Sequence, residues 1–213
     1  QSQYWENNFL NKPEMFGLKP SRAAINTLKT FKEKNIKKII ELGAGLGRDT
    51  ILFAKNSIHV SALDYSSTAI KIINKKIKEN KLLNFVSPII FDVRKKLPFE
   101  DNSIEACFSH MLYCMALSTS DLESLNNEVL RILKPGGINV YTVRHTDDGD
   151  YKNGIHIGGY LFKNDGFVVH FFTKEKIKNL SKGFTILDIE TLEEGKFPRK
   201  LFRVTLKKQR PQQ

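Results

Sequence analysis

Only two cysteines, Cys107 and Cys114, occur in the 213 residues. That excludes a disulfide scaffold and a four-thiolate zinc site, and it suits a reducing, cytoplasmic setting. No apolar run approaches the ~20 residues needed to cross a bilayer. Gln1 to Asn8 lack the basic start and apolar centre of a signal peptide, so the expectation is a cytosolic protein without a membrane partner. Acidic residues are the scarcer charge, 23 against 34 Lys and Arg, which leaves a net charge of +11. Such a surplus attracts nucleic acid, anionic lipid or acidic small molecules without choosing among them. There is no internal repeat and no low-complexity tract, and a composition 40% hydrophobic and 27% charged is that of a folded globular chain. The length favours one domain, 1–213, over two small ones.

Short β-rich runs alternate with longer amphipathic, lysine-rich runs, the pattern of a parallel sheet covered by helices on both faces. Strands are predicted at Lys38 to Leu42, His59 to Leu63, Pro88 to Phe91, Ile104 to Ser109 and Ile138 to Val143. Helices are predicted at Asp49 to Lys55, Ser67 to Asn80 and Asp121 to Leu133, with Ser67 and Asp121 as N-cap types. In the second helix Ala69, Ile70, Ile73 and Ile77 form the buried stripe, and Lys71, Lys75, Lys76 and Lys78 read as a solvated face. Lys134-Pro135-Gly136-Gly137 should end the third helix and turn the chain into the next strand. A polar stretch from Arg144 to Gly159 follows, then an aromatic run from Phe167 to Phe172 and a helix from Thr173 to Ser181. Phe184 to Leu192 and Lys200 to Leu206, joined by Glu193-Glu194-Gly195-Lys196, read as a closing antiparallel pair. The predicted fold is therefore α/β: a Rossmann-like, doubly wound, seven-stranded and mostly parallel sheet with an antiparallel C-terminal strand pair.

The segment that carries chemistry is Ile39-Ile40-Glu41-Leu42-Gly43-Ala44-Gly45-Leu46-Gly47-Arg48-Asp49, an apolar strand entering a glycine-rich turn and then a helix. A dinucleotide fingerprint needs glycine at the position of Arg48, so the pyrophosphate reading is weakened. Glu41, just before the glycines, would repel a diphosphate but suits a cationic amino group. Asp64 ends the next strand 21 residues after Gly43, near the offset at which an acid reaches a ribose diol. Asp92 ends the third strand, where it suits an exocyclic adenine amine while Val93 packs the ring. Three acids ending successive strands line one crevice at the edge where open parallel sheets bind ligands.

On these residues the chain resembles the class I S-adenosylmethionine-dependent methyltransferases. The resemblance is carried by Glu41-Leu42-Gly43-Ala44-Gly45-Leu46-Gly47, Leu63-Asp64-Tyr65-Ser66, Phe91-Asp92-Val93, Leu97-Pro98-Phe99-Glu100-Asp101-Asn102-Ser103-Ile104 and Leu133-Lys134-Pro135-Gly136-Gly137, in that order. It implies S-adenosyl-L-methionine as cofactor. Glu41, Gly43, Gly45 and Gly47 match the residues that hold its methionine part, Asp64 and Tyr65 those at ribose and adenine, and Asp92 and Val93 those at adenine. Ser109 matches a position that meets the cofactor's carboxylate or amine. Tyr4-Trp5, Gly47-Arg48-Asp49-Thr50 and the absence of a large appended module look like a small-molecule branch that includes tellurite-resistance and thiol-type methyltransferases.

On the acceptor side, the N-terminal segment 1–35 (Tyr4, Trp5, Phe9, Met15 and Phe16) reads as an aromatic lid, and 144–172 as a substrate-side insert. Tyr4, Trp5, His110 and Tyr113 are substrate candidates, and Arg144 and His145 are candidates for holding an anionic acceptor or taking a proton. Ser109-His110-Met111-Leu112 stands where amine-directed base methyltransferases carry an Asn or Asp followed by Pro-Pro and an aromatic. Neither cysteine follows a proline, against pyrimidine C5 chemistry. His145, Asp147 and His156 match no standard metal spacing, so no metal is expected. The leading reading is methyl transfer to a small-molecule acceptor, a thiol or a chalcogen oxyanion. An RNA methyltransferase, motivated by the +11, and a non-catalytic cofactor-binding module are the alternatives.

Overall fold

The computed structural model describes residues 2–11, 17–164, 166–195 and 199–210. Met15 and Phe16 of the expected lid lie outside these residues. In chain order the elements are α1 (Ser2–Asn11), α2 (Arg22–Glu33), β1 (Lys38–Leu42), α3 (Arg48–Lys55), β2 (His59–Asp64), α4 (Ser67–Glu79), β3 (Val86–Ile90), β4 (Ile104–His110), α5 (Thr119–Ile132), β5 (Leu133–Arg144), β6 (Ile155–Gly158), β7 (Leu161–Asn164), β8 (Phe167–His170), α6 (Lys174–Leu180), β9 (Phe184–Glu194) and β10 (Arg199–Lys208). The main sheet has the order β3-β2-β1-β4-β5-β10-β9. β1 to β5 are mutually parallel, and β10 runs antiparallel to both β5 and β9. The chain steps outward from β1 to β3 and returns beside β1 as β4, so the topological switch point, where such sheets bind ligands, lies between β1 and β4.

Strand alternation sorts the core into two layers. Ile39 packs with Phe31 of α2, Phe53 of α3 and Ile73 of α4. Ile40 and Leu42 point the other way, to Leu125 and Val129 of α5 and Ile177 of α6. Glu41, one residue from Ile40, therefore faces α3, and this puts its carboxylate on Thr50.

Several local expectations are corrected. Ser66, not Ser67, caps α4 by accepting from Ala69 N, and Ser118 caps α5 with Asp121 completing a capping box three residues on. Lys134-Pro135-Gly136-Gly137 does not separate helix from strand. Leu133 already pairs with Ile104, Ile138 with Ala106, and the four residues bulge between them with Gly136 at φ 81°. Lys76 leaves the solvated face, because it is half-buried and its Nζ donates to Leu46 O at 2.7 Å. The 144–172 insert, read as a polar stretch and an aromatic run, contains a separate three-stranded antiparallel sheet, β6-β7-β8.

The small sheet is tied to the segment after β4 through His170, whose backbone N–H donates to Cys114 O and whose Nδ1 donates to Leu117 O at 2.7 Å. Burial holds the imidazole pKa down to about 4. The unfolded chain takes up a proton here below about pH 6.5, and the folded chain does so only near 4. His170 therefore contributes stability that is present above 6.5 and is lost as pH falls from 6.5 to 4, on the order of 2 kcal/mol. Urea midpoints of His170→Gln should fall less than those of the wild type between pH 7 and 4.5. Parallel losses in the two proteins would remove His170 as the cause.

Candidate active site

The glycine turn after β1 is left-handed at three positions, with φ 70° at Gly43, 52° at Gly45 and 76° at Gly47. Side chains rarely adopt this conformation, so glycine here is a backbone requirement. The turn is also tightly packed: a Cβ on Gly47 would stand 2.8 Å from Ile73 Cγ1, and one on Gly43 3.0 Å from Leu112 Cβ. Asp64, at the tip of β2, pins the turn. Its Oδ2 accepts from Gly45 N at 2.8 Å and its Oδ1 from Ser66 N at 2.9 Å.

Glu41, Asp49 and Asp64 are all buried around this turn. Glu41 accepts from Thr50 Oγ1, and Asp49 accepts from both Ser21 N and Ser21 Oγ at the cap of α2. Burial first and the Asp49 charge second push the Glu41 pKa well up, against the pull of the Thr50 bond. Burial also raises Asp64, opposed by its bonds from Ser66 and Gly45. Desolvated carboxylates of this kind favour a cation brought among them. Ser109, at the end of β4, keeps a fully buried hydroxyl with no partner among the described residues. These features fit a ligand with a cationic amino-acid tail lying on a bare backbone.

The turn is roofed. Phe9 of α1 packs with Leu46 and Ala69, and Trp5 stacks on Phe9 with ring centroids 5.5 Å apart. Glu6 of the same helix accepts from Ser67 N at the start of α4. Leu112 covers Gly43 from the other side, so protein side chains occupy part of the crevice beside the acids. Asp92, expected at an adenine amine, is half-buried and bound through both oxygens by the exposed Arg94, which lowers its pKa. Val93 is buried in the core beside it. Burial, then the Asp64 charge, raises the pKa of Tyr65.

The acceptor-side expectations fare less uniformly. Tyr4 and Trp5 close onto the small sheet, both with ring centroids within 5.5 Å of Phe167. Tyr113 is a correction: it is buried and stacked 4.4 Å from Tyr141, a core residue closed to any acceptor. His145 is another, because its ring is buried against Phe202 and its Nδ1 accepts from Asp147 N, leaving Nε2 enclosed. Arg144 is buried with its guanidinium spent on Asp148 and Asp150 and set over the Phe171 ring. Both cysteines are buried and free, with burial raising the Cys114 thiol to about 11.

His110 holds Thr142 Oγ1 through Nδ1 at 2.9 Å and meets Glu194 Oε2 through Nε2 at 3.3 Å. Glu194 Oε1 in turn binds Arg48 NH2 at 3.0 Å, which joins the glycine turn, β4 and the β9–β10 hairpin. Nothing in the sequence pointed to Glu194, 146 residues from its partner. A cavity of about 190 Å³ opens beside Tyr4, Arg144, Phe167, Phe171 and Arg199. A larger open depression of about 460 Å³, beside Thr185 and Lys207, lies where β9 begins and β10 ends. That is the edge opposite the strand tips and far from the acids.

No helix among the described residues is long and apolar enough to cross a membrane, and no cluster of three metal-ligating side chains occurs among them. Residues 39–137 match a family described as a methyltransferase domain. The chain is 34% identical over 126 residues to phosphoethanolamine N-methyltransferase 1 of Triticum aestivum, covering 59% of this chain and 22% of that protein. It is 28% identical over 171 residues to the tRNA N(3)-cytidine methyltransferase METTL2 of Bos taurus, covering 73% and 43%. The chain thus spans less than half the length of either curated relative. Among solved structures it is similar to a 1,6-didemethyltoxoflavin-N1-methyltransferase from Burkholderia thailandensis with bound S-adenosylhomocysteine, at TM-score 0.77 and 16% identity, covering 98% and 87%. It is also similar to TehB from Haemophilus influenzae, at TM-score 0.67 and 16% identity, covering 86% and 62%. At such identities the likeness is one of fold.

Proposed function

We propose that the chain is a class I S-adenosylmethionine-dependent methyltransferase domain, as the family match over residues 39–137 supports, and that it methylates a small-molecule acceptor. The observation that carries the reading is the left-handed glycine turn, pinned by Asp64 and surrounded by desolvated acids at the switch point of the sheet. Glu41 and the glycines would hold the methionine part, Asp64 and Tyr65 the ribose and adenine, and Asp92 and Val93 the adenine, with Ser109 meeting the amino-acid tail. S-adenosylmethionine held by these residues would supply an electrophilic methyl group on its sulfonium.

The protein's part is to align the acceptor and keep water out, which suits the roof made by α1. Neither histidine at the strand tips offers a ring nitrogen to a proton in the crevice, since both nitrogens of His110 are engaged and His145 Nε2 is enclosed. This supports an acceptor that attacks already ionised, such as a thiolate or a chalcogen oxyanion. The amine acceptor named for the wheat relative belongs in the same screen. The RNA alternative draws on the +11 charge and on the tRNA-directed relative. It predicts tight, steeply salt-dependent RNA binding and methyl incorporation into RNA.

Calorimetry tests the cofactor reading directly. Burial and the neighbouring Asp49 charge raise the Glu41 pKa in the free protein, and a cationic tail favours the ionised carboxylate, so affinity for S-adenosylmethionine and S-adenosylhomocysteine should rise with pH as long as Glu41 is still losing its proton. Glu41→Gln should flatten that dependence. Absence of binding by both compounds would end the reading. An assay with labelled cofactor against thiols, chalcogen oxyanions, small amines and RNA then identifies the acceptor, and turnover on none of them would favour the non-catalytic module.

A further inference from the structure

We propose that the cavity between α1 and the small sheet is a binding site for a small planar organic acid, with its ring against Phe167 and its anionic group on Arg199. The inference deepens the methyl-transfer reading by naming an acceptor class, and it rests on that reading for its purpose. The cavity sits at the productive edge of the sheet: Arg144 is the last residue of β5, and Leu201 of β10 lies opposite it. Arg199, one pleat farther out, falls on the same face of the pair and enters the same cavity.

The two arginines are chemically unequal. Arg144 is immobilised by Asp148 and Asp150, its charge is met on the spot, and the Phe171 ring lies beneath it. Arg199 is exposed, and no carboxylate pairs with it among the described residues. Asp150 also reaches the cavity, but its charge is offset by Arg144 NH2 at 2.7 Å. The rest of the wall is four aromatic rings together with Val169, Asn153 and Asn164, and the rings of Tyr4 and Phe167 lie tilted at 5.3 Å. A volume of about 190 Å³ equals the space of about six waters, enough for one ring bearing one acidic group. A guanidinium beside aromatic rings binds carboxylate or phosphate in a forked, planar arrangement.

α1 links this cavity to the glycine turn, since Tyr4 and Trp5 touch Phe167 while Phe9 packs on Leu46. Trp5 is the sole tryptophan of the chain and therefore a built-in reporter. Benzoate, benzamide and inorganic phosphate should be titrated against the full chain with Trp5 fluorescence as readout, with and without S-adenosylhomocysteine. Benzoate is expected to give a saturable change, neutral benzamide one at least tenfold weaker in affinity, and phosphate alone little.

Arg199→Ala should weaken benzoate at least tenfold, Arg199→Lys should recover part of the loss, and melting temperatures should stay unchanged because the side chain is exposed. Equal affinity for benzoate and benzamide, no response to benzoate, or an Arg199→Ala protein that binds benzoate like the wild type would each overturn the site. Benzoate bound through Arg199 without any S-adenosylhomocysteine binding would instead uphold the site and overturn the methyl-transfer reading.

Discussion

Arg144→Ala is expected to cost about 3–5 kcal/mol of folding stability, because removing one partner of a buried ion pair strands the charges it met. Both carboxylates involved belong to the turn that leaves β5. Asp148 is buried, and besides Arg144 it accepts from Asp150 N and Lys200 N, so it staples the insert to β10. Burial pushes its pKa up, yet the Arg144 bonds outweigh that and hold it below the usual carboxylate range. Without the guanidinium, Asp148 would be an unpaired buried acid. Arg144→Lys should recover little, since an ammonium cannot replace Nε and NH2 acting together on Asp148 and Asp150. Arg144→Met combined with Asp148→Leu removes both charges and should restore much of the loss. Denaturant melts of the three variants test this. A normal melt for Arg144→Ala with abolished methyl transfer would return the residue to a catalytic role.

Asp64→Ala should give the largest loss at the cofactor turn, at least a tenfold fall in S-adenosylmethionine affinity together with a lowered melting temperature. Its oxygens accept from Gly45 N and Ser66 N, one in the glycine turn and one at the cap of α4. Leaving a buried donor unpaired costs about 1–3 kcal/mol, and here two donors are exposed to that penalty. A carboxylate offers about four lone-pair sites, so holding the turn still leaves room to accept from a ribose hydroxyl. Asp64→Asn keeps one acceptor oxygen and should melt closer to the wild type while still binding cofactor weakly. Calorimetry and thermal melts of both variants separate the two duties. Unchanged affinity in Asp64→Ala would deny it any part in the cofactor site.

The segment from Ile39 to Asp49 was legible because its signals are local: an apolar run broken only by Glu41 for a strand buried on both faces, then glycines where the backbone must turn left-handed. The stripe of Ala69, Ile70, Ile73 and Ile77 was equally plain, and all four are buried. The small sheet was not legible. Its strands are four residues each, too short for the alternation in Ile155-His156-Ile157-Gly158 to stand out, and those four residues are all exposed, so no buried face marks them. The helix starts slipped by one to three residues because several cap-type residues stand in a row at Ser66-Ser67 and at Ser118 to Asp121, and only the backbone geometry selects one.

What the order of residues settled alone was the parallel α/β sheet, the glycine turn and the placing of Glu41, Asp64 and Asp92 at successive strand tips, since these follow from periodicity and spacing along the chain. What the tertiary structure decided was which of those groups remain available. The core takes Tyr113, two aspartates take Arg144, and Arg48 reaches Glu194 from the far end of the chain. Charge pairing and desolvation depend on distances between residues far apart in the chain, and packing alone sets those distances.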